Sequence, residues 1–219
     1  MSRAAAFEVL GDQRVGEGGF LRIRRMRLRL VRADGSRTRE GIWDYVERPM
    51  GLDAVVVALW RRREQVEVLL RAGARVAVHF GRPEKQLLFV ELVAGILEQG
   101  DDLALRAAGE VLEEAGLTVV PERIERLGPP MFPTPGMCPE MFHFVSCEVA
   151  PGAAAQPPQG DGSPFEEGAQ LSWVALDEAL ARCARGEIQD LKTEVALRRL
   201  REKQYLDRGA VIGTENGEA

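Results

Sequence analysis

Cysteines and long apolar runs are scarce in this 219-residue chain, and each shortage excludes a class of protein. Cys138, Cys147 and Cys183 are an odd number without a CxxC spacing, which argues against a disulfide framework or a cysteine-rich zinc site. No window of eighteen uninterrupted apolar residues occurs, so no membrane span is expected. The first ten residues lack the basic start and apolar stretch of a secretory signal. We therefore expect a cytoplasmic protein with reduced thiols.

An excess of positive charge is also lacking. The formal net charge is −5, so the molecule as a whole is not expected to bind nucleic acid or an anionic membrane. Arginines recur between Arg22 and Arg29, but no aromatic residues are interleaved with them to stack on bases. We interpret them as a solvated strand face. With 45% hydrophobic and 29% charged residues, the composition is that of an ordinary globular protein.

The N-terminal segment is predicted to form a small β subdomain. From Phe20 to Arg32 apolar and arginine residues alternate, and the slip at Arg24 and Arg25 favours a strand with a bulge. A turn signal and a second strand through Thr38 to Val46 complete a hairpin. Because a hairpin alone is too small to be stable, it must pack on the main domain or on another subunit. We assign this subdomain to residues 1–47.

The main domain is assigned to residues 48–209 and a flexible tail to residues 210–219. A helix is predicted after Asp102 and ends at Gly116, and a loop rich in alanine, proline and glycine covers 150–164. The other predicted elements are strands at 54–60, 66–70, 86–93, 118–120, 141–149 and 171–174, and helices at 176–185 and 190–205. Strands with helices before and after them indicate an α/β domain with a mixed sheet.

Three carboxylates are the chemical feature of the predicted helix. Glu110, Glu113 and Glu114 stand at i, i+3 and i+4, so they share one helical face and repel one another. A hard divalent cation removes that repulsion, and Mg²⁺ prefers carboxylate oxygens while keeping positions open for water and phosphate. The alternative interpretation is a solvated acidic helix face.

The residues flanking these carboxylates favour the metal site. The spacing of these carboxylates and their neighbours resembles the signature of the Nudix hydrolases. The matching positions are Gly95, Asp101, Gly109, Glu110, Val111, Glu113, Glu114, Gly116 and Leu117. Residues 91–95, 131–140 and 186–193 are similar, in the same order, to segments of its ADP-ribose pyrophosphatase branch. The resemblance covers about residues 45–200. It implies a Nudix α/β/α sandwich with a mixed sheet, plus a small N-terminal antiparallel β subdomain whose strands cross between subunits of a homodimer.

The resemblance also implies which residues bind metal. Glu110 and Glu114, helped by Glu113, would hold more than one Mg²⁺, with Mn²⁺ as a substitute, and Ala94 would lend its backbone carbonyl. The metals would activate a water for in-line attack on a diphosphate. The general base of this branch lies on a loop that corresponds to residues 151–170 here. Glu167 is the preferred base and Glu166 the alternative, although both could simply be exposed loop acids.

Arginines are expected to bind the substrate phosphates, since their planar fork grips phosphate at two points. Arg75 and Arg48 match family arginines, and Glu140 matches a substrate-side acid. In an arginine-rich chain each arginine could equally be a surface residue. The implied reaction is hydrolysis of ADP-ribose, a small-molecule nucleotide sugar, to AMP and ribose 5-phosphate. A UDP- or GDP-sugar is the first alternative substrate.

Two positions depart from the signature. Gly109 stands in place of an arginine and Asp101 in place of a glutamate, and these two side chains pair in the family. We hypothesise that Arg106, one turn earlier, reaches back toward Asp101 and replaces the pair. The competing hypothesis is a weakened domain that binds a nucleotide sugar without cleaving it. The retained Glu110 and Glu114 argue for the enzyme.

Overall fold

The structure is a computed structural model that describes residues 4–18, 21–48, 53–82, 84, 86–158, 160 and 168–215. The chain divides into two compact units. The first comprises Met1–Leu52 with Phe132–Met141, and the second comprises Asp53–Met131 with Phe142–Ala219.

The first unit contains a three-stranded antiparallel sheet in the order β1-β2-β3. Its strands are β1 (Ala4–Glu17), β2 (Arg22–Arg32) and β3 (Gly41–Glu47). The predicted bulge at Arg24 and Arg25 is wrong, because β2 pairs with β3 without interruption and the register shifts skip residues of β1 instead. The sequence alternation slips there because adjacent arginines on opposite faces of β2 both have acidic partners. Arg24 pairs with Asp12, and Arg25 pairs with Asp44.

The second unit contains a seven-stranded sheet in which β10-β5-β4-β9-β8 form the main path. Its strands are β4 (Asp53–Arg62), β5 (Val66–Ala74), β6 (Leu88–Glu91), β7 (Val93–Leu97), β8 (Glu125–Arg126), β9 (Phe142–Glu148) and β10 (Gln170–Ala175). Strand β6 pairs with β5, and β7 pairs with β4. The β4–β9 pair is parallel and the other pairs are antiparallel, so the sheet is mixed.

Helices cover both faces of this sheet. They are α1 (Val76–Gly81), α2 (Leu103–Ala115), α3 (Leu176–Ala184) and α4 (Leu191–Glu215). Every residue from Ala54 to Trp60 of β4 is buried, which is why this strand reads as a continuous apolar run. Val55, Val57 and Leu59 face a core shared with α2, whereas Val56, Ala58 and Trp60 face a core shared with α3 and α4.

These layers confirm the predicted α/β/α sandwich with a mixed sheet and a small N-terminal antiparallel β subdomain. The predicted strand at 118–120 is not formed; that segment is irregular and leads into a 3₁₀ turn at Pro121–Arg123. Across the part of the chain that the structure describes, none of the helices combines the length and the apolar character that a membrane crossing requires.

Candidate active site

Helix α2 carries the predicted carboxylates and has well-defined ends. The Asp102 side chain accepts hydrogen bonds from the backbone N–H groups of Ala104 and Leu105, both at 2.9 Å. At the other end Gly116 adopts a left-handed conformation with φ of 64° and donates its N–H to Leu112 O. The helix therefore begins and ends where the sequence predicts.

Two of the carboxylates on α2 are largely withdrawn from water. Glu110 is 4% exposed and Glu114 is 7% exposed, at the edge of the apolar stripe that packs on the sheet. Glu113 is half-buried on the same side of the helix. Buried carboxylates require charge or hydrogen-bond partners, so this arrangement excludes the interpretation of Glu110 and Glu114 as a solvated acidic face.

Strand β7 forms a cradle for these two side chains. The Ala94 N–H donates to Glu114 Oε2 at 3.1 Å. A Cβ added to Gly95 would lie 1.5 Å from Glu110 Oε1, so the carboxylate rests directly against the glycine backbone. Any larger residue at this position would force the Glu110 carboxylate to move away from the strand.

Arg106 contacts Glu110 and not, as predicted, Asp101. Its Nε donates to Ile96 O at 3.0 Å, and its Nη2 forms an ion pair with Glu110 Oε1. The prediction that it reaches Asp101 is wrong, because Asp101 Oδ2 instead accepts the N–H of Glu98 at 2.8 Å. The i, i+4 spacing of Arg106 and Glu110 on one face brings the two side chains together.

Glu91, at the end of β6, is the centre of a buried ion-pair cluster. It is 1% exposed and accepts two hydrogen bonds from Arg75, at 2.8 and 2.7 Å, and one from Lys192 at 2.7 Å. Burial raises the pKa of Glu91, but the charges of Lys192 and Arg75 outweigh that effect and hold it below its ordinary value. Lys192 also bonds Asp190 at 2.8 Å, and Asp190 accepts the Thr193 N–H at 3.1 Å at the start of α4.

Arg71 links the Glu91 cluster to helix α2. It is 4% exposed on β5 and lies 3.6 Å from both Glu91 Oε1 and Glu114 Oε1. Sequence reasoning missed the roles of Glu91, Arg71 and Lys192, since their contacts join segments far apart in the chain. One signal was available: a charged residue within an otherwise apolar strand almost always has a partner when it is buried.

The donor set of this centre suits a hard divalent cation. Glu110 and Glu114 supply carboxylate oxygens beside the backbone of Ala94, and the Gly95 cradle brings Glu110 close to that strand. Within the described ranges, no three acidic, histidine or cysteine side chains are grouped ready to share one ion. The oxygens of Glu110 and Glu114 are engaged by Arg106, by Arg71 and by the Ala94 N–H.

Two of the predicted substrate-binding residues lie in the first unit and contact each other. Arg48 Nη2 forms an ion pair with Glu140 Oε1, although the two residues are 92 positions apart. The Val46 N–H donates to Met137 O at 2.8 Å, which attaches the 132–141 segment to β3. The ion pair brings the two predicted substrate-binding residues together. That they bind the substrate stays a prediction.

The predicted general bases, Glu166 and Glu167, lie outside the described residues. The start of their loop is attached to the end of α2 by two backbone hydrogen bonds: Gln156 N–H to Gly116 O at 2.8 Å, and Gly160 N–H to Glu113 O at 2.9 Å. The described part of this loop, which follows β9, is therefore attached to the C-terminal end of α2.

Comparisons with known proteins agree with this architecture. No curated protein matches the sequence. A solved structure described as the crystal structure of an ADP compounds hydrolase superposes with a TM-score of 0.71 at 14% identity, over 94% of this chain and 98% of that one. At this identity the likeness establishes the fold. The model of the NUDIX domain family matches residues 50–202, more than half of the chain. The chain therefore belongs to the Nudix family and is an enzyme that hydrolyses pyrophosphate bonds.

Proposed function

We propose that the protein is a Mg²⁺-dependent hydrolase that cleaves the diphosphate of ADP-ribose, or of a related nucleoside diphosphate sugar, into a nucleoside monophosphate and a sugar phosphate. The observation that carries the proposal is the pair of buried carboxylates, Glu110 and Glu114, held against Gly95 and Ala94 and surrounded by arginines. The matching structure named as an ADP compounds hydrolase favours an adenine nucleotide as the first substrate to test.

Glu110, Glu113, Glu114 and the carbonyl of Ala94 are the residues that would hold Mg²⁺, with Mn²⁺ as a substitute. When bound, the ion would neutralise charge on the diphosphate and lower the pKa of a coordinated water. The protein's own contribution is to hold the Glu110 and Glu114 carboxylates largely away from water, where electrostatic interactions are stronger.

Arg75 is well placed to receive a phosphate. Its Nε and Nη2 are bound to Glu91, and no residue in the described ranges bonds its Nη1. Its side chain is 46% exposed, so the guanidinium is fixed on one edge and accessible on the other. A fixed arginine loses little entropy on binding phosphate. Burial lowers the pKa of Arg75, but the charge of Glu91 outweighs this effect and raises it, so the cation persists at neutral pH.

Hydrolysis requires a water oxygen to bond one phosphorus while the bond from that phosphorus to the bridging oxygen breaks. One proton of the water passes to a base, and the leaving phosphate carries away the bridging oxygen. We assign the base to Glu167, with Glu166 as the alternative and Glu113 as a supporting carboxylate. The attachment of the same loop to the carbonyls of Gly116 and Glu113 supports this assignment. Arg48 and Glu140 are proposed to contact the substrate as a pair.

The test is a panel of ADP-ribose, UDP-sugars, GDP-mannose and dinucleoside polyphosphates, each incubated with Mg²⁺ or Mn²⁺ and coupled to a phosphatase for phosphate detection. We expect turnover of ADP-ribose that Glu114→Gln abolishes. The matched control is Glu194→Gln, because Glu194 is an exposed helical acid on α4 paired with Arg198. Turnover of only UDP- or GDP-sugars would replace the substrate. Binding of ADP-ribose without turnover of any compound would favour a ligand-binding module.

A further inference from the structure

One nitrogen of Arg106 lies between two of the carboxylates assigned to the metal. Nη2 forms the ion pair with Glu110 Oε1 and stands 3.9 Å from Glu113 Oε2. The same guanidinium is anchored to the backbone through Nε and Ile96 O. A cation shared by Glu110 and Glu113 would therefore compete with this nitrogen for the same oxygens.

The charge balance of the centre makes this competition significant. Among the described residues of this centre, five acidic side chains are compensated by four cationic ones, so the formal net charge is −1. The acids are Glu91, Glu110, Glu113, Glu114 and Asp190, and the cations are Arg71, Arg75, Arg106 and Lys192. The affinity of an oxygen-ligand site for a divalent cation rises with the number of uncompensated ligand charges. The protein alone therefore offers little net attraction to such a cation.

Of the two arginines that contact the carboxylates of α2, Arg106 is better able to move than Arg71. Arg71 is 5% exposed at its side chain and fixed within β5, whereas the Arg106 side chain is 33% exposed at the surface of α2. A diphosphate would offer Arg106 a stronger partner than a single carboxylate oxygen, because guanidinium binds phosphate at two points.

We propose that Arg106 is a built-in cation that competes with the divalent metal for Glu110 and Glu113, and that the diphosphate of the substrate draws it away. Metal and substrate then bind cooperatively: each increases the affinity for the other by the same factor. The identity of the diphosphate rests on the proposed function. The assignment of the metal to Glu110 and Glu113 rests on it as well.

The test measures Mn²⁺ binding by electron paramagnetic resonance, which reports free Mn²⁺ directly and needs no turnover. Wild-type protein is titrated with Mn²⁺ alone and with a non-hydrolysable α,β-methylene analogue of ADP-ribose. We expect the analogue to lower the wild-type Mn²⁺ Kd by at least about tenfold. Arg106→Gln should bind Mn²⁺ alone about tenfold more tightly than wild type, and the analogue should lower its Mn²⁺ Kd by a smaller factor than in wild type, because only direct ligation by the phosphate remains. Its KM for ADP-ribose should rise at the same time.

Two further variants isolate the effect. Arg198→Gln removes an exposed i, i+4 arginine from its partner Glu194 on α4, and it should leave the Mn²⁺ Kd unchanged. Arg106→Lys keeps the charge but loses the planar fork, so we expect an increase in Mn²⁺ affinity smaller than that of Arg106→Gln. If Arg106→Gln does not fold, as judged by circular dichroism, the lysine variant supplies the same comparison.

Weaker or unchanged Mn²⁺ binding in Arg106→Gln would overturn the proposal, since Arg106 would then support Glu110 or act elsewhere. An analogue effect equal in wild type and Arg106→Gln would overturn it too. Failure of the proposed function is a separate result: ADP-ribose would not be hydrolysed, while tighter Mn²⁺ binding by Arg106→Gln alone would still support the competition.

Discussion

Replacing Gly95 with alanine places a methyl group 1.5 Å from Oε1 and 1.7 Å from Cδ of Glu110. Ordinary contact begins at 3.4 Å, so the carboxylate oxygen has to retreat by about 1.9 Å, and a misplacement of about 1 Å already costs about 100-fold in rate. The backbone of Gly95 is not in a left-handed conformation, and alanine is therefore compatible with the strand. We expect turnover to fall by about 100-fold or more, with a stability loss of only about 1–3 kcal/mol from overpacking.

The assay pairs steady-state kinetics on ADP-ribose with thermal unfolding followed by circular dichroism. Gly109→Ala is the matched control, because it adds the same methyl group to a helical glycine with nothing within 4 Å. We expect this control to keep its activity and to gain up to about 1 kcal/mol, or roughly 2–4 °C in Tm. Wild-type turnover in Gly95→Ala would show that catalysis does not require the Glu110 carboxylate to lie against Gly95 of β7.

Three further predictions concern the surroundings of the site. Glu91→Gln should lower the unfolding free energy at pH 7 by up to about 3 kcal/mol. Because the folded pKa of Glu91 lies below its ordinary value of 4.5, wild-type stability should fall as the pH drops through that region, and denaturant titrations should show a shallower fall in Glu91→Gln. In Gly116→Ala the alanine would have to adopt a φ of 64°, and its Cβ would lie 1.8 Å from Gln156 O. The substitution should therefore displace the loop that contains Gln156, which reduces turnover and increases proteolysis of that loop. Arg48→Met should raise KM for ADP-ribose at least severalfold with little change in kcat, and a double variant with Glu140→Gln should show non-additive effects in kinetic assays.

Helix α2 could be predicted from the sequence because the residues that specify it are close together in the chain. Asp102 and Gly116 are capping residues at the right spacing, and the i, i+3, i+4 carboxylates follow from helical periodicity. The buried run at 54–60 likewise predicts a central strand, since a strand covered on both faces reads as continuously apolar.

The rest depends on contacts between distant segments. Strand β1 was not predicted, since its three register shifts break the alternation on which strand prediction relies. The partners of Glu91 come from β5, the α1 N-terminus and α4, and nothing in the local sequence specifies that convergence. The target of Arg106 was predicted wrongly because Asp101 and Glu110 are both within its sequence range, and the backbone hydrogen bond to Ile96 decides between them.

The most direct test of the account is ³¹P NMR of ADP-ribose incubated with the protein and Mg²⁺. We expect the two diphosphate resonances to disappear as phosphomonoester resonances of AMP and ribose 5-phosphate grow in equal amounts. Glu114→Gln should slow this conversion by at least about 100-fold, while the exposed control Glu194→Gln should match wild type. Two results would contradict the assignment of Glu110 and Glu114 as the centre that hydrolyses the diphosphate. One is that the diphosphate resonances stay unchanged with wild-type protein in both Mg²⁺ and Mn²⁺, and the other is that Glu114→Gln reacts at the wild-type rate.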